Sequence, residues 1–97
     1  MKIEHRNLLD LESVGPATVE DLRVLGITSV GALVNADPMA LYERLCAIRA
    51  ERLDPCCEDV LRAAVAQASD PALPVEQRRW WYWSRLRKAG AARARGE

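Results

Sequence analysis

LLDLESVGPATVEDLRVLGITSVGAL, Leu8 to Leu33, is the stretch on which the fold turns. No sustained apolar–polar alternation runs through it, so it does not read as strand. Its punctuation is helical. Leu8, Leu9 and Leu11 mark a short first helix over about Arg6–Leu11. Gly15 and Pro16 then make a tight turn. Pro16 suits the first position of a second helix, where its missing N–H is no loss. Val19, Leu22 and Leu25 share one side of that helix, and Gly26 stops it. Thr28 or Ser29 can cap a third helix, with Val30, Leu33 and Val34 facing inward.

Beyond this stretch the pattern repeats. Asp37-Pro38 opens a fourth helix with Leu41, Leu45 and Ile48 as its buried stripe. Asp54-Pro55 opens a fifth. Its Cys57, Val60, Leu61, Ala64, Val65 and Ala68 form a nearly unbroken i, i+3, i+4 face. Residues 69–74, SDPALP, break the pattern. A sixth helix starts near Pro74 or Val75. The chain thus predicts an all-α domain over residues 1–69, with a Pro-containing linker and a C-terminal helix over 70–97 packed on it.

Ninety-seven residues suffice for a single core. No apolar run approaches the roughly 20 residues of a membrane helix, and the first 25 residues lack signal-peptide order. Three cysteines, Cys46, Cys56 and Cys57, without a CxxC, fit reduced thiols. The expectation is a cytoplasmic protein that does not enter membranes. The charge is zero in total but not in distribution. Residues 1–60 carry six Lys/Arg against eleven Asp/Glu, a net −5, and residues 61–97 eight against three, a net +5. Such asymmetry attracts anions locally.

The basic end also holds the aromatics. RRWWYWSRLRK, Arg78 to Lys88, carries Trp80, Trp81, Tyr82 and Trp83, and the rest of the chain has only Tyr42. Four consecutive rings cannot share one helix face. Val75, Tyr82, Trp83 and Leu86 fall in one sector and are expected to anchor the helix. Trp81 points elsewhere. Its open roles are packing on a flank, a homodimer contact, or stacking on a base.

Leu8–Leu33 resembles a helix-hairpin-helix motif. The hairpin reads Ser13-Val14-Gly15 before Pro16-Ala17-Thr18, and LGITSVGAL is similar to the connector that follows such hairpins. Ser13 stands where the signature has its first glycine, and Ala17 where a lysine is frequent. LGITSV, DPMALYERLCAIRAERLDPC and WWYW together resemble the small bacterial pathogenicity-locus family, also called mitomycin-resistance proteins. The hairpin region is similar also to the C-terminal domain of the competence regulator TfoX. The resemblance implies a five-helix, SAM-like arrangement with two hairpins. The second is degenerate: Leu45–Arg49 can be laid on Leu11–Gly15, which puts Arg49 and Arg52 on its outer side.

In the motif, hairpin N–H groups donate to phosphate oxygens, which positions a protein on DNA without reading sequence. The candidate nucleic-acid contacts are therefore Ser13, Val14, Gly15, Ala17 and Thr18, with Arg78, Arg79, Arg85, Arg87 and Lys88 from the last helix. Gly15 is expected to supply a backbone geometry closed to other residues, and Val14 an apolar plug. The sequence carries no P-loop, Rossmann fingerprint or metal-nuclease spacing, and His5 has no nucleophilic partner. The reading is a non-enzymatic DNA-binding module without metal or cofactor. The alternative is a protein-interaction or dimerisation module that keeps the hairpin as scaffold.

Overall fold

A computed structural model describes residues 4–94, with side chains through Gly90. The expected fraying of the tail and the charges of Arg93 and Arg95 lie outside the described residues and side chains. Among the described residues every regular element is helical and none is a strand. They form four α-helices, α1 (Pro16–Val24), α2 (Pro38–Arg49), α3 (Pro55–Ser69) and α4 (Trp80–Ala94), and three 3-10 turns.

Three of the α-helices open on proline, as their sequence predicts. Asp37 caps α2 by accepting from the Met39 and Ala40 N–H groups, and Asp54 caps α3 by accepting from Cys56. Each carboxylate satisfies first-turn donors that have no intrahelical acceptor.

The expected first and third helices are single 3-10 turns, Leu8–Asp10 and Gly31–Leu33. The reason is spacing. A 3-10 turn eclipses residues three apart, and it is Leu8 with Leu11, and Val30 with Leu33, that must enter the core together. Val34, expected inside, is exposed, and so is Leu9. Leu11 leaves the first turn in extended geometry, and Asn35 ends the second at φ 59°.

Ile48 also departs from expectation. It is 52% exposed, and α2 buries Leu41, Tyr42, Leu45 and Cys46 instead. The Tyr42 hydroxyl donates to the Leu53 carbonyl, so the chain leaving α2 folds back over that face. Leu45–Arg49 is the last part of this helix, not a turn comparable to Leu11–Gly15. The left-handed residue that ends α2 is Ala50, at φ 56°.

Leu22, Val30, Leu33, Leu45 and Leu61 form the centre of the core, with Leu8, Leu11 and Val14 closing one end. α4 packs along α3 outside this centre, and the seam is polar. Trp80, Trp83, Ser84 and Arg87, at i, i+3, i+4 and i+7, face inward. Leu86, expected as an anchor, is 47% exposed, and Val75 is exposed too. The rotation follows from Asp59, which is 0% exposed on α3. Arg87 Nε and Nη2 reach its carboxylate at 3.1 and 3.0 Å. A buried carboxylate without a partner is far more costly than a leucine left at the surface.

A second polar clamp holds the other end of the seam. The buried Gln67 amide accepts from the Glu12 N–H at 2.8 Å and donates to the Glu12 carbonyl at 2.8 Å. The same NH₂ lies 3.3 Å from the Arg78 carbonyl. Ser13 adds to it. Its hydroxyl accepts from the Trp80 N–H at 3.0 Å and donates to the Arg78 carbonyl at 3.3 Å. A residue of the first turn thereby caps the last helix. Residues 69–74 are likewise packed rather than loose. Leu73 is buried, and its carbonyl accepts from Arg78 Nε at 2.8 Å.

Both clamps predict measurable losses in chemical denaturation. Arg87→Ala is expected to cost about 2–3 kcal/mol, somewhat under a fully enclosed pair because the guanidinium is partly open. A double change to Asp59→Leu with Arg87→Met should recover most of that. Gln67→Leu is expected to cost about 2–3 kcal/mol by stranding the Glu12 N–H and carbonyl, with faster hydrogen exchange at the Glu12 amide. A loss below about 0.5 kcal/mol in either single variant, the range of ordinary surface changes, would show that the seam does not hold α4.

Candidate functional site

The turn between Leu11 and Pro16 differs from its sequence reading in where the unusual backbone lies. Ser13, not Gly15, takes the left-handed conformation, at φ 69°. Such a conformation costs a non-glycine residue about 1–2 kcal/mol, and the two hydrogen bonds of the Ser13 hydroxyl hold it there. Gly15 has φ −105° and ψ −176°, an extended geometry open to any residue. A Cβ built on Gly15 meets nothing within 4 Å. Gly15 is the N-cap of α1 and offers no side chain to its first-turn N–H groups. Where α2 and α3 carry aspartate caps, the start of α1 is bare.

Not every N–H assigned to this turn is available. The Val14 N–H is directed to the Leu11 carbonyl at 3.3 Å, and Val14 itself is buried as the expected plug. The Ala17 and Thr18 N–H groups lie in the first turn of α1, where no intrahelical acceptor exists. The helix dipole adds partial positive charge at the same place.

The nearby carboxylates are largely matched. Glu20 pairs with Arg23, and this contact holds its carboxyl below the ordinary value. Asp21 pairs with Arg49 at 2.8 Å. Glu12 faces Arg79 at 4.0 Å. Arg49, placed by sequence on the outer side of a second hairpin, is therefore engaged. So is Arg52, which sits beside Glu43 and 6.0 Å over the Tyr42 ring.

The five cations expected in α4 and before it divide into two groups. Arg78 is half-buried with its Nε on the Leu73 carbonyl, and Arg87 is committed to Asp59. These two hold structure. Arg79, Arg85 and Lys88 are exposed. Among the described residues, Arg85 and Lys88 have no carboxylate in ion-pair range, and Arg79 lies 5.5 Å over the Trp81 ring. Trp81, Arg85 and Lys88 occupy positions i, i+4 and i+7, within about 60° of one another around the helix. Trp80, next to this flank, lines a cleft of about 150 Å³ with Thr18 and Asp21 of α1 and Cys56 and Cys57 of α3. The exposed stripe of α4 thus borders the side of the molecule where α1 begins.

The two cysteines at the start of α3 have little footing for thiol chemistry. The Asp54 carboxylate, with burial, pushes the Cys56 thiol up, and burial pushes Cys57 up. Both are neutral thiols near pH 7 and weak nucleophiles. Among the described residues no group of three or more His, Cys, Asp or Glu side chains is placed to hold a metal. His5 is exposed.

The sequence reading overlooked Gln67 and Asp59. A signal was present. Asp59, Ala63 and Gln67 recur every four residues beside the apolar face of α3, which makes a polar stripe aimed at α4.

Residues 2–89 match the pathogenicity locus family. A "Mitomycin resistance protein McrB" of Streptomyces lavendulae is 39% identical over 83 residues, covering 84% of this chain and 74% of the relative. No solved structure matches. With a profile match across nearly its whole length and a close relative of similar extent, this chain belongs to the pathogenicity locus family.

Proposed function

We propose that this protein is a non-enzymatic, sequence-independent DNA-binding module that grips backbone phosphates. On this reading Leu8–Val24 is a helix-hairpin-helix unit within a SAM-like domain. Its degenerate second turn runs from Ala50 to Asp54, where a left-handed residue again precedes a proline-led helix. The phosphate contacts would be the N–H groups of Gly15, Ala17 and Thr18, joined by Arg79, Arg85 and Lys88. Arg78 and Arg87 serve it indirectly, by holding α4 in place.

One observation carries the reading: the Ser13 hydroxyl accepts from the Trp80 N–H at 3.0 Å. It brings the bare start of α1 and the start of the cationic helix to one place. From Gln77 to Gly96 the chain has no acidic residue, so α4 itself contributes only attraction to a polyanion lying along it. The mitomycin resistance named for the Streptomyces relative requires, on this view, no chemistry on the drug by this chain.

A second reading has its own observation. On the other side of the α3–α4 seam, Met39, Trp83 and Leu86 line a trough of about 360 Å³ together with Glu58, Arg62 and Arg87. A protein-interaction or dimerisation module would use that side. Light scattering that gives a dimer for the wild type and a monomer for Leu86→Asp would favour it.

Fluorescence anisotropy with a labelled duplex tests the first reading. Affinity should fall with salt along a log–log slope of about −3, from three cations near phosphates. Gly15→Asp is expected to keep or slightly raise stability, because aspartate is a good N-cap. It should weaken DNA binding by about tenfold or more, because its carboxylate takes the donors a phosphate needs. Absence of binding at low salt, or full binding by Gly15→Asp, would refute the hairpin contact.

A further inference from the structure

We propose that Trp81 is a stacking site for an unpaired base, so that the preferred nucleic acid is single-stranded. The inference rests on the DNA-binding reading and narrows it. The three tryptophans are not equivalent. Trp80 lines the cleft against α1 and α3. Trp83 is half-buried and its Nε1 donates to the Gln77 carbonyl at 2.8 Å. Trp81 is 47% exposed, and its ring neighbours are Trp80, edge-on at 6.1 Å, and the Arg79 guanidinium.

Arg79 does not close the site. Among the described residues its one ion-pair contact is at 4.0 Å, and half of its side chain is open to solvent. An exposed cation–π contact shifts an equilibrium by about 2- to 5-fold, whereas a base stacked on an aromatic contributes about 5- to 150-fold. A base therefore displaces the guanidinium, which turns to a phosphate. Arg85 and Lys88 continue the same flank at about 6 and 10 Å from Trp81 along the helix axis, where the backbone of a strand lying along α4 would pass.

The alternatives for this flank are weaker. A second copy of this chain would meet it through the same patch in a two-fold dimer, which sets Arg85 and Lys88 against their own likes. Duplex DNA keeps its bases stacked inside and offers Trp81 no ring.

The test compares a labelled 12-nucleotide oligo(dT) with a 12-base-pair duplex, for wild type, Trp81→Ala, Trp81→Leu and Trp81→Phe. Wild type should bind the single strand more tightly than the duplex, with quenching of tryptophan emission. Trp81→Ala and Trp81→Leu should each lose about 5- to 100-fold on the single strand and less than about twofold on the duplex. Trp81→Phe should restore most of the loss. Trp81→Leu keeps apolar bulk without a ring face, which separates stacking from support of the fold. Single-strand binding that ignores Trp81, or falls equally with duplex binding, overturns this inference and leaves the DNA-binding reading standing. A wild type that binds neither form overturns both.

Discussion

The amide of Gln67 is the point on which the rest of this small structure depends. It answers both the N–H and the carbonyl of Glu12, as a neighbouring strand would, and reaches the carbonyl of Arg78. Backbone polar groups in a buried place must find partners, and here one side chain supplies partners to two segments 66 positions apart. Ser13 completes the join from the other side. Without these contacts of Gln67 and Ser13 the turn before α1 and the start of α4 would have little reason to adjoin, and the positive flank would have no fixed place.

The seam between α3 and α4 shows how a short chain positions a helix without a large apolar area. Asp59 and Arg87 lock one end, and Gln67 and Ser13 the other, with Ala63 and Ser84 buried between them. Apolar packing tolerates a rotation of several tens of degrees about a helix axis. Two directional polar contacts about two turns apart do not. That fixed rotation puts Trp81, Arg85 and Lys88 on one open flank and Trp83 and Leu86 on the opposite one, giving the helix two chemically distinct sides. It also gives Ser13 its strained backbone, since the hydroxyl must face α4.

Charge follows the same logic. The acidic first half does not surround the proposed site with free carboxylates, because Glu20, Asp21 and Glu12 each face an arginine. The opposite halves of a neutral chain are partly cross-neutralised where they meet, and the remainder is left on α4.

The sequence by itself determined the helical class, the three Asp- or Gly-Pro helix starts, the stop at Gly26, and the cores of α1 and α3. These follow from local rules of capping and periodicity that act within a few residues. It also singled out Trp81 as the ring that does not join the others. Only the tertiary structure decided which turns shrink to 3-10, where the left-handed residue falls, that Ile48 and Leu86 face outward, and that Arg78 and Arg87 are structural while Arg79, Arg85 and Lys88 are open. Each of these outcomes depends on a partner far along the chain: Leu53 for Tyr42, Asp59 for Arg87, Gln67 for Glu12, Trp80 for Ser13. A buried polar group imposes geometry at a distance that hydrophobic periodicity does not encode, because its cost is set by whether one particular partner arrives.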